Sequence, residues 1–148
     1  MKRYFSIVLC VALLIALSSP VLAAEQDSTV SYRKITLNNG ITIIDEITEC
    51  SEARFTDKAY RKTRTFKDGD TVIAIIAIQA TFRYDGTTVS VVAKAVAQTD
   101  TYDGWNYKQT SFTSSGGTVT LNAKLTKLLV FNNPFTMTLS CDKDGNIT

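Results

Sequence analysis

The chain ends in Cys141-Asp142-Lys143-Asp144-Gly145-Asn146-Ile147-Thr148, a run with the oxygen donors and the glycine of a calcium loop. An EF-hand loop takes oxygen ligands at positions one, three and five, glycine at six and a bidentate glutamate at twelve. With Gly145 at six, Ser140, Asp142 and Asp144 fall at one, three and five. The sequence reaches only position nine, and the residues before the loop alternate as a strand rather than as an entering helix. The expectation is a strand end followed by an Asp-Gly turn, with no metal site.

No histidine occurs among the 148 residues. That removes Ser-His-Asp and Cys-His nucleophilic catalysis, His-liganded zinc or copper, and every imidazole acid-base mechanism. Two carboxylates could still hydrolyse a glycosidic bond, but the acids lie mostly in turns or in the Asp45 to Glu52 cluster. No Ser-Lys motif is present. The chain is expected not to be an enzyme and to carry no cofactor.

One stretch could bind a ligand. In TYDGWNYKQ, Tyr102, Trp105 and Tyr107 stand beside Asp103, Asn106 and Gln109. Rings that stack on sugar faces, flanked by amides and carboxylates, would make a glycan-binding cluster. The competing placement has Trp105 and Tyr107, two apart on one strand face, packing the core, which is the commoner position for a lone Trp. A second feature is charge segregation. Asp45, Glu46, Glu49 and Glu52 are followed by Arg54, Lys58, Arg61, Lys62, Arg64 and Lys67. This is either a basic docking strip or, as alternating Thr and basic residues suggest, an exposed strand with solvated charges.

The elements that would position these residues are strands. Thr, Val and Ile are abundant, and turn sequences recur at Asn38-Asn39-Gly40, Asp68-Gly69, Asp85-Gly86, Asp103-Gly104, Gly116-Gly117 and Asn132-Asn133-Pro134. Asp-Gly and Asn-Gly accept the positive φ of tight hairpins. Between the turns the period is two. Val119, Leu121, Ala123 and Leu125 should share a buried face, as should Phe135, Met137, Leu139 and Cys141. Val72, Ala74, Ile76, Ile78, Ala80 and Phe82 should share another. Six strands are expected from about Tyr60 to Cys141, giving an all-β fold, an antiparallel β-sandwich of immunoglobulin-like character. An additional N-terminal β-hairpin should turn at Asn38-Asn39-Gly40.

The first residues carry an address. Lys2 and Arg3 precede an apolar run from Phe5 to Leu17, a Ser18-Ser19-Pro20 break, and a cleavage site after Ala23 or Ala24, the layout of a secretory signal peptide. The apolar run is shorter than the roughly 20 residues of a membrane span. The organisation expected is a signal peptide over 1–23, the hairpin and a charged connector over 24–57, and the sandwich over 58–148. Loss of Lys2 and Arg3 from the 16 Lys plus Arg leaves 14, equal to the 14 Asp plus Glu. Zero net charge lacks the electrostatic footprint of a nucleic-acid binder. Cys10 leaves with the leader, so an exported chain would pair Cys50 with Cys141, a bridge worth on the order of 4 kcal/mol. Two unbridged thiols are the alternative.

Around FKDGDTVIAIIAIQATFRYDGTTVS, YDGWNYKQ and SCDKDGNI, the chain resembles a family of small secreted β-domain proteins of Gram-positive bacteria, over about Tyr60 to Thr148. The matching motifs are turns and core positions. The resemblance implies export and a β fold and carries over no functional residue. The function expected is that of a secreted, non-catalytic β-sandwich serving as an extracellular structural or protein-interaction module, or alternatively a glycan-binding module using Tyr102, Trp105 and Tyr107. Its partner would be an extracellular protein or a cell-wall glycan, with no nucleic acid, and no membrane after signal cleavage.

Overall fold

The computed structural model describes residues 28–50, 57–128 and 131–148; the expected leader lies outside them. Eight strands follow one another: β1 (Ser28–Thr36), β2 (Ile41–Glu49), β3 (Asp57–Asp68), β4 (Thr71–Tyr84), β5 (Val89–Thr101), β6 (Trp105–Ser115), β7 (Thr118–Lys127) and β8 (Phe131–Ser140). All pairings are antiparallel. They form a five-stranded sheet ordered β1-β2-β3-β4-β5 and a three-stranded sheet ordered β6-β7-β8. Within each sheet every strand therefore lies beside its neighbour in sequence, and among the described strands no crossover of the kind found in an immunoglobulin-like strand order occurs. The expected N-terminal hairpin is the outer pair of the large sheet, since β2 pairs with β3 along its whole length.

One core joins the two sheets. Ala74, Ile76, Ile78, Ala80 and Phe82 of β4 meet Val119, Leu121, Ala123 and Leu125 of β7 and Met137 and Leu139 of β8. Ile41 and Ile47 of β2 belong to the same cluster, so the hairpin does not form a separate body. A bulge opposite Phe66 and Lys67 changes one expectation. Phe66 pairs with Ala74 but Lys67 with Val72, leaving Ile73 as the extra residue. The inserted residue shifts the alternation. Ile73 enters the core while Val72 is only partly buried.

The inner face of β3 is polar in its middle, which corrects the reading of this strand as an exposed, solvated one. Lys62 and Arg64 point toward β8: Lys62 Nζ donates to the Thr138 carbonyl at 2.7 Å, and Arg64 Nη1 to the Thr136 carbonyl at 2.8 Å. Arg64 also holds both carboxylate oxygens of Asp45, at 2.5 and 2.6 Å. Asp45 is 8% exposed and the only buried polar or charged residue among those described. Burial pulls the Lys62 pKa down.

These contacts explain why Asn132-Asn133-Pro134 lie inside β8 rather than in the expected turn. Thr136 and Thr138 offer their carbonyls to the outer side of β8, and Ser140 exchanges two hydrogen bonds with Thr148 there, at 2.8 and 2.9 Å. By alternation Pro134 faces the same way, where its missing N–H breaks no ladder bond. The outer edge of β8 is thus occupied by a proline, two cationic side chains and the chain's last residue.

Candidate functional site

Tyr102, Trp105 and Tyr107 lie at the corner where the chain passes from one sheet to the other. Asp103 and Gly104 have φ of 54° and 75°, and the Trp105 amide donates to the Tyr102 carbonyl at 3.0 Å. Two successive positive φ values define the tight turn that Asp-Gly supplies. The Tyr102 amide donates to the Ile73 carbonyl at 3.0 Å, tying the corner to the bulge in β4. Trp105 then opens β6 opposite Lys127, which in turn pairs with Phe131 at the start of β8.

This register stacks a small cluster at one end of the sandwich. Trp105 is 5% exposed and belongs to the core. Its ring lies 6.0 Å from that of Phe131, tilted by 42°, and Lys127 Nζ stands 5.8 Å from the indole centroid, within cation–π reach. The indole Nε1 is buried and has no acceptor among the described residues. A buried N–H without a partner is uncommon and calls for an explanation. At the same end Leu128 is 81% exposed, Phe131 52% and Tyr102 44%, and Leu128 has a φ of 51°.

Of the three aromatic residues read from the sequence, Tyr102 alone is exposed. Tyr107 is half-buried against the core; its hydroxyl reaches Gln109 Oε1 at 3.5 Å, and burial raises its pKa. Lys127, Leu128 and Phe131 went unread. A signal for Leu128 and Phe131 existed: Leu128-Leu129-Val130-Phe131 is an apolar run that leads from β7 into β8, where the connection between strands is ordinarily polar.

The C-terminal turn lies at the opposite end of β8. Asp142 Oδ1 accepts the backbone N–H groups of Asp144 and Asn146, both at 2.9 Å, and Oδ2 accepts the Asn146 side-chain amide at 2.7 Å. Its carboxylate is committed to the turn. Among the described residues no group of three or more Cys, Asp or Glu is placed to hold a metal ion.

The disulfide expected between Cys50 and Cys141 is not formed; both are thiols. Period two gives the reason. Cys141 belongs to the core. Cys50 Sγ instead lies against Thr48, 3.7 Å from its carbonyl, on the face of the large sheet opposite Ile47. Side chains on opposite faces cannot bring their sulfurs to bonding distance.

No family model, no curated protein and no solved structure matches the chain.

Proposed function

We propose that the protein is a secreted, non-catalytic binding module that grips a partner protein with the end formed by Tyr102, Trp105, Lys127, Leu128 and Phe131. The observation that carries this reading is that exposed Tyr102, Leu128 and Phe131 lie at the end where a buried indole N–H has no acceptor among the described residues. Apolar groups gathered on a rigid scaffold are what partner surfaces bury, and Trp and Tyr are the residues on which binding energy concentrates. The absence of histidine supports a non-catalytic role, and the leader-like residues 1–23 support export.

The test is to immobilise the mature protein, pass over it the culture medium of its source organism, and identify what is retained. The Leu128→Ser/Phe131→Ser double variant should lose the retained protein, whereas Lys143→Ser, at the other end of the molecule, should keep it. The purified partner should then shift the emission of Trp105, the single Trp. A response to soluble cell-wall polysaccharide that disappears in Tyr102→Ala would replace the protein partner with the glycan.

A further inference from the structure

The edge of β8 carries donors as well as acceptors. Ser140 exchanges both of its backbone hydrogen bonds with Thr148. The β7–β8 register runs without a shift, so alternation turns the N–H and C=O of Thr136 and Thr138 to that same outer side. Arg64 and Lys62 occupy the two carbonyls. In chain order the edge therefore presents the Thr136 N–H, the Thr136 carbonyl with Arg64, the Thr138 N–H, and the Thr138 carbonyl with Lys62. The Thr138 N–H thus falls between two cationic heads, and neither N–H has an acceptor among the described residues.

The charge beside this edge does not balance. Arg33, Asp45 and Arg64 are direct neighbours across β1, β2 and β3, so they share one face. Lys62, two residues before Arg64, lies on it as well. Arg64 takes both oxygens of Asp45, and neither Lys62 nor Arg33 forms a salt bridge to a described residue. Three cations against one carboxylate leave two positive charges over. Arg33 is exposed, but Lys62 is half-buried, and a cation taken from water without a counter-charge is costly. Burial lowers the Lys62 pKa; Asp45 acts against that shift, and Arg64 and Arg33 act with it.

The donors left over suit one kind of ligand. Lys62 Nζ gives one of its three protons to the Thr138 carbonyl, and Arg64 Nη1 one of its two to the Thr136 carbonyl. Both heads keep N–H groups beside the Thr138 amide, and Arg33 stands on the same face at its solvent side. Ammonium, guanidinium and backbone N–H groups are together the donors that hold phosphate oxygens. Two unbalanced charges match a dianion, which free phosphate or a phosphate monoester supplies and a carboxylate or a phosphodiester does not.

We propose that Lys62, Arg64, Arg33 and the N–H groups of Thr136 and Thr138 form a binding site for a dianionic phosphate group, between the edge of β8 and the inner face of β1 to β3. The test is to titrate isotope-labelled mature protein with inorganic phosphate at about pH 8, above the second ionisation of a phosphate monoester near 6, with chloride holding the ionic strength constant. The amide resonances of Thr136 and Thr138 should shift and saturate. Arg33→Ser removes an exposed side chain without a salt bridge, so the fold stays intact, and Lys62→Met removes the ammonium. Each should weaken binding by about tenfold or more, whereas Lys108→Ser, on the outer face of the small sheet, should bind as the wild type does. Dimethyl phosphate, a monoanion, should bind at least about tenfold more weakly than phosphate. Glycerol phosphate separates the sources. Binding as tight as that of phosphate assigns the site to the end of a phosphorylated molecule, and binding of inorganic phosphate alone assigns it to the free ion. Shifts that chloride reproduces, or that saturate only at other amides, overturn the proposal. So do Arg33→Ser and Lys62→Met proteins that bind phosphate like the wild type, or dimethyl phosphate that binds as tightly as phosphate.

Discussion

Arg64 Nη1 donates to the backbone carbonyl of Thr136 at 2.8 Å, and through this contact a side chain of the large sheet holds the edge of the small one. The guanidinium is placed for it by Asp45, its opposite neighbour across β2 and β3, which takes the remaining face of the fork. Sequence distance conceals the arrangement, since Asp45, Arg64 and Thr136 belong to three different strands. Its effect is to satisfy a strand edge without another strand. A planar, bidentate guanidinium with its third nitrogen to spare suits that task better than an ammonium does.

Arg64→Ala leaves the Asp45 carboxylate buried without its partner, and the expected loss is about 3–5 kcal/mol. Asp45→Leu combined with Arg64→Met should cost less than Arg64→Ala alone, because no unpaired charge remains inside. Urea unfolding of the three proteins checks the order. Equal losses in the single and double variants would mean that the contact to Thr136, not the charge pair, carries the stability.

Much of the fold was legible in the sequence because period two and turn chemistry are local signals. Val119, Leu121, Ala123 and Leu125 are all buried, and the Asp-Gly pairs at Asp68, Asp85 and Asp103 all turn. What was not legible depended on partners distant in the chain. Ile73 replaces Val72 because of a bulge set by the pairing of β3 with β4. Asn132-Asn133-Pro134 has turn composition but is extended, because the proline occupies an edge that no strand claims. Lys62 and Arg64 read as exposed because the edge they serve is some 70 residues away. Of the candidate site, the aromatic residues on β6 were visible, but Phe131 and Lys127 reach Trp105 only through the β6–β7–β8 register.

Since Cys50 and Cys141 are thiols, dithiothreitol should leave the melting temperature unchanged, and denatured mature protein should titrate two thiols with Ellman's reagent. Cys141 is buried, and burial first, then the neighbouring Asp142, raises its pKa. A thiol reacts as its thiolate, so Cys141 should be labelled only at the rate of unfolding. Cys141→Ser puts a hydroxyl in an apolar site and should cost about 1–3 kcal/mol. A fall in melting temperature on reduction would show that the two sulfurs are bridged after all.

Acid should loosen one end of the sandwich first. The Thr88 and Thr87 backbone N–H groups hold the Asp85 carboxyl below its ordinary range, and Asn146, through its side-chain amide and then its backbone N–H, does the same for Asp142. A carboxylate with a depressed folded pKa contributes stability that is complete above its unfolded value, about 3.9. That contribution is lost as the pH falls through the folded value. The two turns are joined by the Gly86 amide, which donates to the Lys143 carbonyl at 2.9 Å, so they should loosen together. The urea midpoint is expected to fall steadily as the pH drops below about 4. Asp142→Asn keeps an acceptor oxygen but does not titrate, so its acid limb should be shallower than that of the wild type. An identical slope in the two proteins would remove Asp142 from the explanation.

Gly117 tests how tightly the chain packs at that end, against the end of β8 within its own sheet and against Val89 of the other sheet. A Cβ at this position would lie 2.2 Å from the Cys141 carbonyl oxygen and 2.7 Å from a methyl of Val89. The same carbonyl region is fixed from the other direction, because the Cys141 amide donates to the Gly117 carbonyl at 2.8 Å. Gly117→Ala therefore forces backbone apart from backbone, not merely side chain from side chain, and should destabilise by about 1–3 kcal/mol. Trimming the neighbour with Val89→Ala relieves only the methyl contact, so Gly117→Ala/Val89→Ala should stay well below wild type. Recovery of wild-type stability in that double variant would show that the backbone at Cys141 can yield, and that the Val89 methyl contact carries the cost.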